Sequence, residues 1–255
     1  MIILKGDYHT HTVFSSGYKK RGTHATGTIE ENARVAFEKG LDTLVISEHG
    51  PGHYLYGLRT ENIKYMREEI ERLNQIYGPK GLKILLGLEA NLIGLDGELD
   101  VDDSLIKKLD LLLMGYHYGA TPNKLSDINS LYIMPQLSKV FGNLKENAIE
   151  KMTKAYIRAI EKYPIDIITH PGSKAEIEIV EVAKCAVKYS TALEISSKHS
   201  QLSVKSLKRI KDIPVKLYIN SDAHKPSDVG SAEEGMRKAI ESGIDLNRII
   251  NIRED

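Results

Sequence analysis

The segment Thr43-Leu44-Val45-Ile46-Ser47-Glu48-His49 decides the fold, because an apolar run of strand length passes directly into residues that can bind metal. A short apolar run bounded by polar residues is typical of a buried strand. Other apolar runs end in the same way, at Glu89, His117 and His170. Parallel strands that close into a barrel bring such residues to one mouth, at the carboxyl ends of the strands. The pattern therefore predicts a barrel with a multi-metal site at that mouth.

Strand-like and helix-like segments alternate along the whole chain, which favours a parallel sheet with crossover helices. No linker or repeat divides it, so residues 1–255 are predicted to form one domain, a single distorted (β/α)7 barrel of mostly parallel strands resembling a TIM barrel. The seven predicted strands are Ile2–Leu4, Thr43–Ser47, Lys83–Leu88, Leu109–Met114, Ile165–Thr169, Ala192–Ile195 and Val215–Ile219.

Helix starts are indicated by capping residues. Thr28 with Glu31 and Ser231 with Glu234 each predict a capping box, and Thr60 is expected to cap a third helix. The predicted helices are Asn32–Lys39, Glu61–Tyr77, Lys145–Lys162, Ile177–Tyr189 and Gly235–Ser242.

Residues 119–143 form the least regular segment, with Pro122, Pro135 and several Asn and Ser residues. The segment begins just after His117. Two interpretations stay open: it forms a lid or rim over the metal site, or it is a surface excursion.

Composition limits the classes of function. Lys plus Arg and Asp plus Glu each total 35, so the zero net charge does not indicate a nucleic-acid or membrane partner. The single cysteine, Cys185, excludes an internal disulfide and a Cys-based zinc site, and its helical context predicts a small buried hydrophobe. No apolar run is long enough to span a bilayer, and the amino terminus does not have the pattern of a signal peptide. A cytoplasmic protein is predicted.

Two short motifs connect the ends of the chain. In His9-x-His11, side chains two residues apart on an extended strand point to the same side, and Asp222-x-His224 has the same spacing. At the first and last strands, the two pairs would be adjacent where a barrel closes. Glu89 follows a strand too apolar to bury a carboxylate without a partner, which is either a cation or a basic side chain.

These motifs resemble those of the PHP (polymerase and histidinol phosphatase) family of metal-dependent phosphoesterases, and the resemblance extends over residues 7 to 224. The matching stretches are DYHTHT, SEHGPGH, GLEANLIGLDGELD, GYH, ITHPG, LEI and SDAH. They are most similar to those of stand-alone bacterial phosphatases that hold three metal ions. The resemblance implies a distorted seven-stranded β/α barrel.

The resemblance also implies a ligand set for two to three divalent ions. The first metal would take His9, His11, Glu89 and Asp222, the second Glu89, His117 and His170, and the third His24, His49 and His224. His24 follows the stretch Val13–Arg21, which is longer than the family usually has there, so the third site depends on where that loop places His24. Glu48 stands where aspartate is more usual. Nitrogen and oxygen donors without thiolate suit zinc, manganese or iron.

The function implied is hydrolysis of phosphate monoesters of small metabolites by a metal-bound hydroxide, as in a histidinol phosphatase, with Glu89, His170 and Asp222 as catalytic residues. The candidate substrate-binding residues are His53, Arg59, Lys198 and His199, and the basic run Lys19-Lys20-Arg21 could guide an anion inward or be merely solvated. Two alternatives stay open: a phosphodiesterase or exonuclease that releases nucleotides, and a non-catalytic metal-binding module. The balanced charge argues against long nucleic acid as a partner.

Overall fold

A computed structural model describes residues 2–16 and 24–254 of the chain. Seven parallel strands lie in one sheet in the order of the sequence, β2 to β8, and a separate antiparallel pair joins β1 to β9. The strands are β1 (Ile2–Leu4), β2 (Gly6–Thr10), β3 (Thr43–His49), β4 (Lys83–Asn91), β5 (Leu111–Gly115), β6 (Ile167–Ile168), β7 (Ala192–Ser196), β8 (Leu217–Asn220) and β9 (Ile252–Glu254). The α-helices are α1 (Ile29–Glu38), α2 (Asn62–Tyr77), α3 (Asp103–Ile106), α4 (Met134–Leu137), α5 (Lys145–Lys162), α6 (Ile179–Tyr189), α7 (Val204–Arg209) and α8 (Glu233–Ser242).

The sheet curves until its two edge strands meet. Thr10 and Ala223 form a parallel bridge, and the amide of His11 donates to the carbonyl of Ala223 at 2.8 Å. At the same seam, the amide of Tyr8 donates to Asn220 Oδ1 at 3.0 Å. The sheet is thus a nearly closed barrel with helices between its strands, and the predicted fold class is confirmed.

The first barrel strand is not the one predicted. Ile2–Leu4 is a strand, but it pairs antiparallel with Ile252–Glu254 outside the barrel, and Gly6–Thr10 takes its place in the sheet. Gly6–Thr10 was missed as a strand because its buried positions include Asp7 and His9 rather than apolar side chains. Those polar groups are tolerated because each has hydrogen-bond partners, such as the Ser221 amide, which donates to Asp7 at 3.2 Å.

Two predicted helix caps are also wrong. Helix α2 begins at Asn62 with Glu61 at its N-cap and no side-chain capping bond, so Thr60 does not cap it. Helix α8 begins at Glu233 after Ala232, and the predicted box of Ser231 with Glu234 does not form. The box of Thr28 with Glu31 at the start of α1 is confirmed, with both of its hydrogen bonds present.

The helices pack one apolar stripe against the barrel. In α2 the buried residues recur at helical spacing, as Ile63, Met66, Ile70 and Leu73. They contact strand side chains such as Leu86, and full burial of each stabilises the fold by roughly 1.5–3 kcal/mol. Cys185 on α6 packs against the core as a small hydrophobic residue, and its burial is partial rather than complete. This packing holds the strands in the register that brings their carboxyl ends together.

Candidate metal centre

The nine predicted metal ligands converge on the carboxyl-terminal mouth of the barrel. His9, His49 and Glu89 lie within the last three residues of strands β2, β3 and β4, and β3 and β4 extend further than predicted. The other ligands lie in the loops that follow strands, and His24 is the furthest from its strand. Groups of three of these side chains have ligand atoms within 4.8 Å of one another, and eight of the nine fall in such groups. Their clustering follows from the barrel, because neighbouring parallel strands end side by side.

Glu89 lies at the centre of the cluster and divides its two oxygens between two sets of histidines. Its Oε1 is 3.0 Å from His170 Nε2 and 3.5 Å from His117 Nε2. Its Oε2 is 3.3 Å from His9 Nε2 and 3.7 Å from His11 Nε2. A carboxylate placed in this way can bridge two cations.

The seam of the barrel completes one of these sets. His9 Nε2 and His11 Nε2 lie 3.1 Å apart, and Asp222 Oδ1 is 3.6 Å from the first and 3.2 Å from the second. The same-side geometry predicted for His9-x-His11 is found. Asp222 reaches the site differently, because it lies beyond strand β8 with a positive φ of 52° rather than on an extended strand.

A third group of ring nitrogens lies beside these two. His24 Nε2 is 3.1 Å from His49 Nε2 and 2.9 Å from His224 Nε2. The ring of Tyr56 stacks on His24 with a centroid distance of 3.7 Å and an interplanar angle of 10°. The longer loop thus places His24 in the site, although the loop residues 17–23 lie outside the described part of the chain. His49 also faces Glu89, its Nδ1 lying 3.0 Å from Glu89 Oε2.

We expect His24→Ala to lower the bound metal by about one ion per chain, because the third group loses one of three nitrogen donors. The sites around Glu89 should keep their metal. Metal analysis of the purified variant measures this, and His53→Ala serves as a histidine control with no ring nitrogen facing the cluster. Unchanged metal content in His24→Ala would show that His24 is not a ligand.

Several buried polar atoms in the cluster have no hydrogen-bond partner among the described residues. They include Glu89 Oε2, His49 Nδ1 and His170 Nδ1. Glu89 and His49 approach closely without hydrogen-bond geometry, and Glu89 is fully buried. An unsatisfied buried carboxylate is costly unless a cation neutralises it. The donor set therefore fits divalent ions, and no lysine or arginine takes that role at Glu89 among the described residues.

Most of the resolved pKa shifts in the cluster favour metal binding. The exceptions are His9 and His170: burial lowers the pKa of each, but Glu89 and the other nearby carboxylates outweigh it and raise the pKa. Burial, together with neighbouring imidazoles, lowers the pKa of His24 to about 3, and burial lowers that of His224 to about 4. Burial also holds the pKa of His11 well below its usual value. Although burial alone would raise the pKa of Glu89, the adjacent His117 and His9 hold it well below its usual range. Neutral imidazoles and an ionised carboxylate are the forms that bind metal.

Two residues of the site have a positive φ, a backbone conformation that is energetically costly for residues other than glycine. His170 has a φ of 28° and Asp222 a φ of 52°. Left-handed backbone at such residues persists only when the surrounding structure imposes it, and it is concentrated at functional sites. Each residue lies two positions after the end of a barrel strand, β6 or β8, so the chain turns sharply there and directs these side chains toward the cluster.

Glu194 orients two of the histidines, and sequence reasoning gave it no role. It is fully buried on β7, where His9 Nδ1 lies 2.8 Å from its Oε1 and the amide of His170 donates to its Oε2 at 2.7 Å. Asn220 Nδ2 donates to it as well, at 2.9 Å. A lone acidic residue within the apolar run Ala192–Ile195 was the signal that could have found it. By binding Nδ1, Glu194 leaves His9 Nε2 free to face the cluster.

Glu194→Gln should weaken metal binding by about 10–100-fold, because an amide is a poorer partner for the ring N–H of His9. Competition with a chelator of known affinity measures the change. Glu181→Gln, at an exposed position of α6, is the matched control. An unaltered metal affinity would limit Glu194 to a packing role.

Other buried polar residues support the ligands. Asn91 Oδ1 lies 2.9 Å from His117 Nδ1, and Thr169 Oγ1 donates to Glu89 Oε1 at 2.6 Å. Glu48 is buried and accepts hydrogen bonds from Thr12 and Ser15, which follow His11 in the chain. Glu48 thus fixes the loop after His11. The sequence showed only that Glu48 stands where the family more usually has aspartate, and this role was not predicted from it.

The four candidate substrate-binding residues differ in placement. Lys198 Nζ is 3.3 Å from Asp222 Oδ2 with its side chain 46% exposed, and His199 Nε2 is 3.0 Å from the same oxygen, so both lie at the mouth. The ring nitrogens of His53 are both engaged by backbone, by Tyr118 O at 2.9 Å and Tyr56 N at 3.1 Å. Arg59 is exposed to solvent and lines a separate cleft that His53 also lines. The basic run Lys19-Lys20-Arg21 lies outside the described residues.

The irregular segment after His117 begins as part of the rim. Ala120 bridges to His53, and the amide of Tyr54 donates to the carbonyl of Gly119 at 3.0 Å. Further on, the segment contacts the loop after β4, where Asp127 accepts from the amide of Leu95 at 3.0 Å. Its first residues therefore line the rim, and its later residues contact a surface loop. That the segment moves as a lid over the metal centre stays a hypothesis.

Comparisons with known proteins agree with this site. The chain is 32% identical to a probable phosphatase of Thermoanaerobacter sp. strain X514, over 96% of this chain and 89% of that protein. It is 30% identical to a probable phosphatase of Caldanaerobacter subterraneus, over 98% of this chain and 87% of that protein. Its fold is similar to the crystal structure of histidinol phosphate phosphatase from Lactococcus lactis in complex with zinc, L-histidinol and phosphate, with a TM-score of 0.64, 15% identity and 95% of each chain covered. No family model matched the chain.

A nearly closed parallel barrel with clustered His, Glu and Asp side chains at its mouth is the arrangement of a metal-dependent hydrolase. The sequence similarity over almost the full chain is more specific. The chain belongs to the PHP family of metal-dependent phosphoesterases.

Proposed function

We propose that the protein hydrolyses phosphate monoesters of small metabolites at this centre. The observation that supports the proposal most strongly is the placement of Glu89, whose two oxygens face two different histidine sets while a third set lies beside them. A phosphate dianion requires concentrated positive charge, and several cations held this close together supply it. The names of the two relatives, both probable phosphatases, are consistent with this reaction.

The residues present would hold two or three divalent ions in the groups described above. When bound, such ions lower the pKa of water and neutralise charge on the phosphoryl group. Zinc, manganese and iron all suit imidazole and carboxylate donors, and zinc is the metal in the L. lactis structure. Glu89, His170 and Asp222 are proposed as the catalytic residues; each belongs to two of the candidate ligand groups, as His9, His11 and His49 also do.

Lys198 and His199 are proposed to bind the phosphate. The ammonium group of Lys198 lies 2.8 Å from His224 Nδ1 and 3.3 Å from Asp222 Oδ2, so it places a positive charge directly beside the cluster. His199 contacts His170 through their rings, whose centroids are 4.5 Å apart. Two groups able to hold an anion at the edge of the centre favour an enzyme over a non-catalytic metal-binding module. Arg59 and His53 stay weaker candidates for the same role.

A phosphodiesterase or exonuclease is the second candidate reaction, and the protein's charge argues against it. A zero net charge gives no electrostatic attraction for a long polyanion. A small phosphorylated metabolite is therefore the proposed substrate.

None of the described helices is long and apolar enough to cross a bilayer. A cytoplasmic location is proposed on the sequence pattern alone.

Chelation tests the proposal directly. Removal of metal should abolish release of phosphate from an aryl phosphate, and one or more of zinc, manganese or iron should restore it, because the charge that stabilises the phosphoryl group is lost and regained. A panel of metabolite monoesters and one aryl phosphodiester should be assayed in parallel. Higher turnover of the diester would favour the nuclease, and no turnover of any fully metallated sample would favour the binding module.

A further inference from the structure

A cleft opens beside the metal centre, between the loops that follow β6 and β7. Its volume is about 360 Å³, and one wall begins with Pro171 and Gly172, directly after His170. The other wall begins with Ser200, directly after His199. Since His170 and His199 both approach Asp222, the cleft starts where the cluster ends. The cleft is therefore near enough to the centre to receive a group attached to a phosphate bound there.

The walls of the cleft are preformed. Lys238 of α8 is buried and donates to the carbonyls of Ser196, at 2.9 Å, and of His199, at 2.5 Å, which fixes the loop after β7. Leu202 has a φ of 50°, which is unfavourable for leucine, and its side chain is buried. The packing of that side chain therefore holds the loop in this conformation. On the other wall, the hydroxyl of Tyr118 donates to the carbonyl of Lys174 at 2.7 Å. Preformed walls reduce the entropy lost when a ligand binds.

The lining combines hydroxyl and amide groups with an apolar wall. Ser200, Ser206 and Gln201 supply groups that both donate and accept, and Ile177 and Leu202 supply the apolar surface. Three charged residues line the cleft: Glu176 and Arg209 are paired, with Lys145 at 3.0 Å and with Glu178 at 2.5 Å, and Lys205 is exposed to solvent. The cleft therefore selects by shape and hydrogen bonding more than by charge, and its volume lies within the range of small-molecule sites.

We propose that this cleft binds the alcohol part of the substrate, and that this part is a neutral, hydroxyl-bearing ring of monosaccharide size. The inference rests on the proposed phosphatase function and narrows its substrate class. In the reaction, an oxygen of water bonds to phosphorus while the bond from phosphorus to the ester oxygen breaks. The ester oxygen takes a proton, so the products are inorganic phosphate and a free sugar-like alcohol, and the alcohol leaves from the cleft.

The test uses ligands that cannot be hydrolysed, so that it does not depend on turnover. The phosphonate analogues of ribose 5-phosphate and glucose 6-phosphate have the same anionic group as methylphosphonate and add a sugar. Calorimetry on the metallated full chain measures each Kd. We expect at least one sugar phosphonate to bind at least about tenfold more tightly than methylphosphonate, since the cleft adds contacts only to the sugar.

Ser206→Phe, which fills the cleft, should bring this ratio of Kd values close to one while the Kd of methylphosphonate changes less than about twofold. Lys208→Phe adds the same ring to an exposed position of α7 outside the cleft and should preserve the ratio. Gln201→Ala is the milder variant if Ser206→Phe does not fold, and it should lower the ratio severalfold. A wild-type ratio near one for both sugars, or a ratio unchanged by filling the cleft, would overturn the inference. Lack of turnover of every phosphate ester by the fully metallated protein, by contrast, would count against the phosphatase function and leave the binding result for the cleft unchanged.

Discussion

Glu89→Ala is expected to lower metal binding at two sites at once and to reduce kcat by at least about a hundredfold, or about 2.7 kcal/mol in transition-state stabilisation. The physical reason is that Glu89 Oε1 faces His117 and His170 while Oε2 faces His9 and His11. One carboxylate therefore provides negative charge to both sets. Metal analysis and steady-state kinetics on the same preparation measure the two effects together.

The matched control for this variant is Glu71→Ala, at an exposed position of α2. It should retain metal content and rate. Thermal unfolding of both variants in the presence of excess metal separates a loss of ligand from a loss of fold. If Glu89→Ala kept the wild-type metal stoichiometry, Glu89 would not bridge two ions.

Asp222→Asn should cause a loss of similar size, at least about a hundredfold in kcat. Asparagine is chosen because it tolerates the left-handed backbone that Asp222 adopts, with φ of 52°, so the variant removes charge with little backbone strain. The carboxylate contacts His11, His199 and Lys198, and all three lose an ionic partner together. Kinetics on an aryl phosphate over a range of metal concentrations measures the effect.

Asp103→Asn provides the control for Asp222→Asn, since Asp103 is exposed at the start of α3. Excess metal should raise the activity of Asp222→Asn only in part, because Lys198 and His199 remain misplaced even when metal is bound. Wild-type kcat in the metal-saturated variant would mean that Asp222 serves only to bind metal weakly and takes no part in catalysis.

The sequence predicted the barrel well because its central strands are continuous apolar runs. Thr43–His49 and Lys83–Asn91 are buried on both faces, which is the pattern that parallel strands require. Gly6–Thr10 has the same place in the sheet but buries Asp7 and His9, so its polar residues were interpreted only as a metal motif. Apolar patterning identifies strands packed by hydrophobic contacts and misses one that is held by buried hydrogen bonds.

The site was predictable where a ligand follows an apolar run and less so elsewhere. His24 lies in a loop without such a run, and it approaches His224 across 200 positions of sequence. Only the three-dimensional path of the chain could show that contact. Glu194 was overlooked because a single acidic residue in a strand has several possible partners, and its hydrogen bond to His9 spans 185 positions.

The most direct test of the central claim is phosphate release measured against bound metal while the demetallated protein is titrated with zinc, manganese or iron. Because Glu89 joins two ligand sets, we expect little turnover of an aryl phosphate until about two ions are bound per chain, followed by a steep rise. His24→Ala should follow the same early part of the curve and end about one ion lower. Turnover in the metal-free protein, or none with every site filled, would contradict the account.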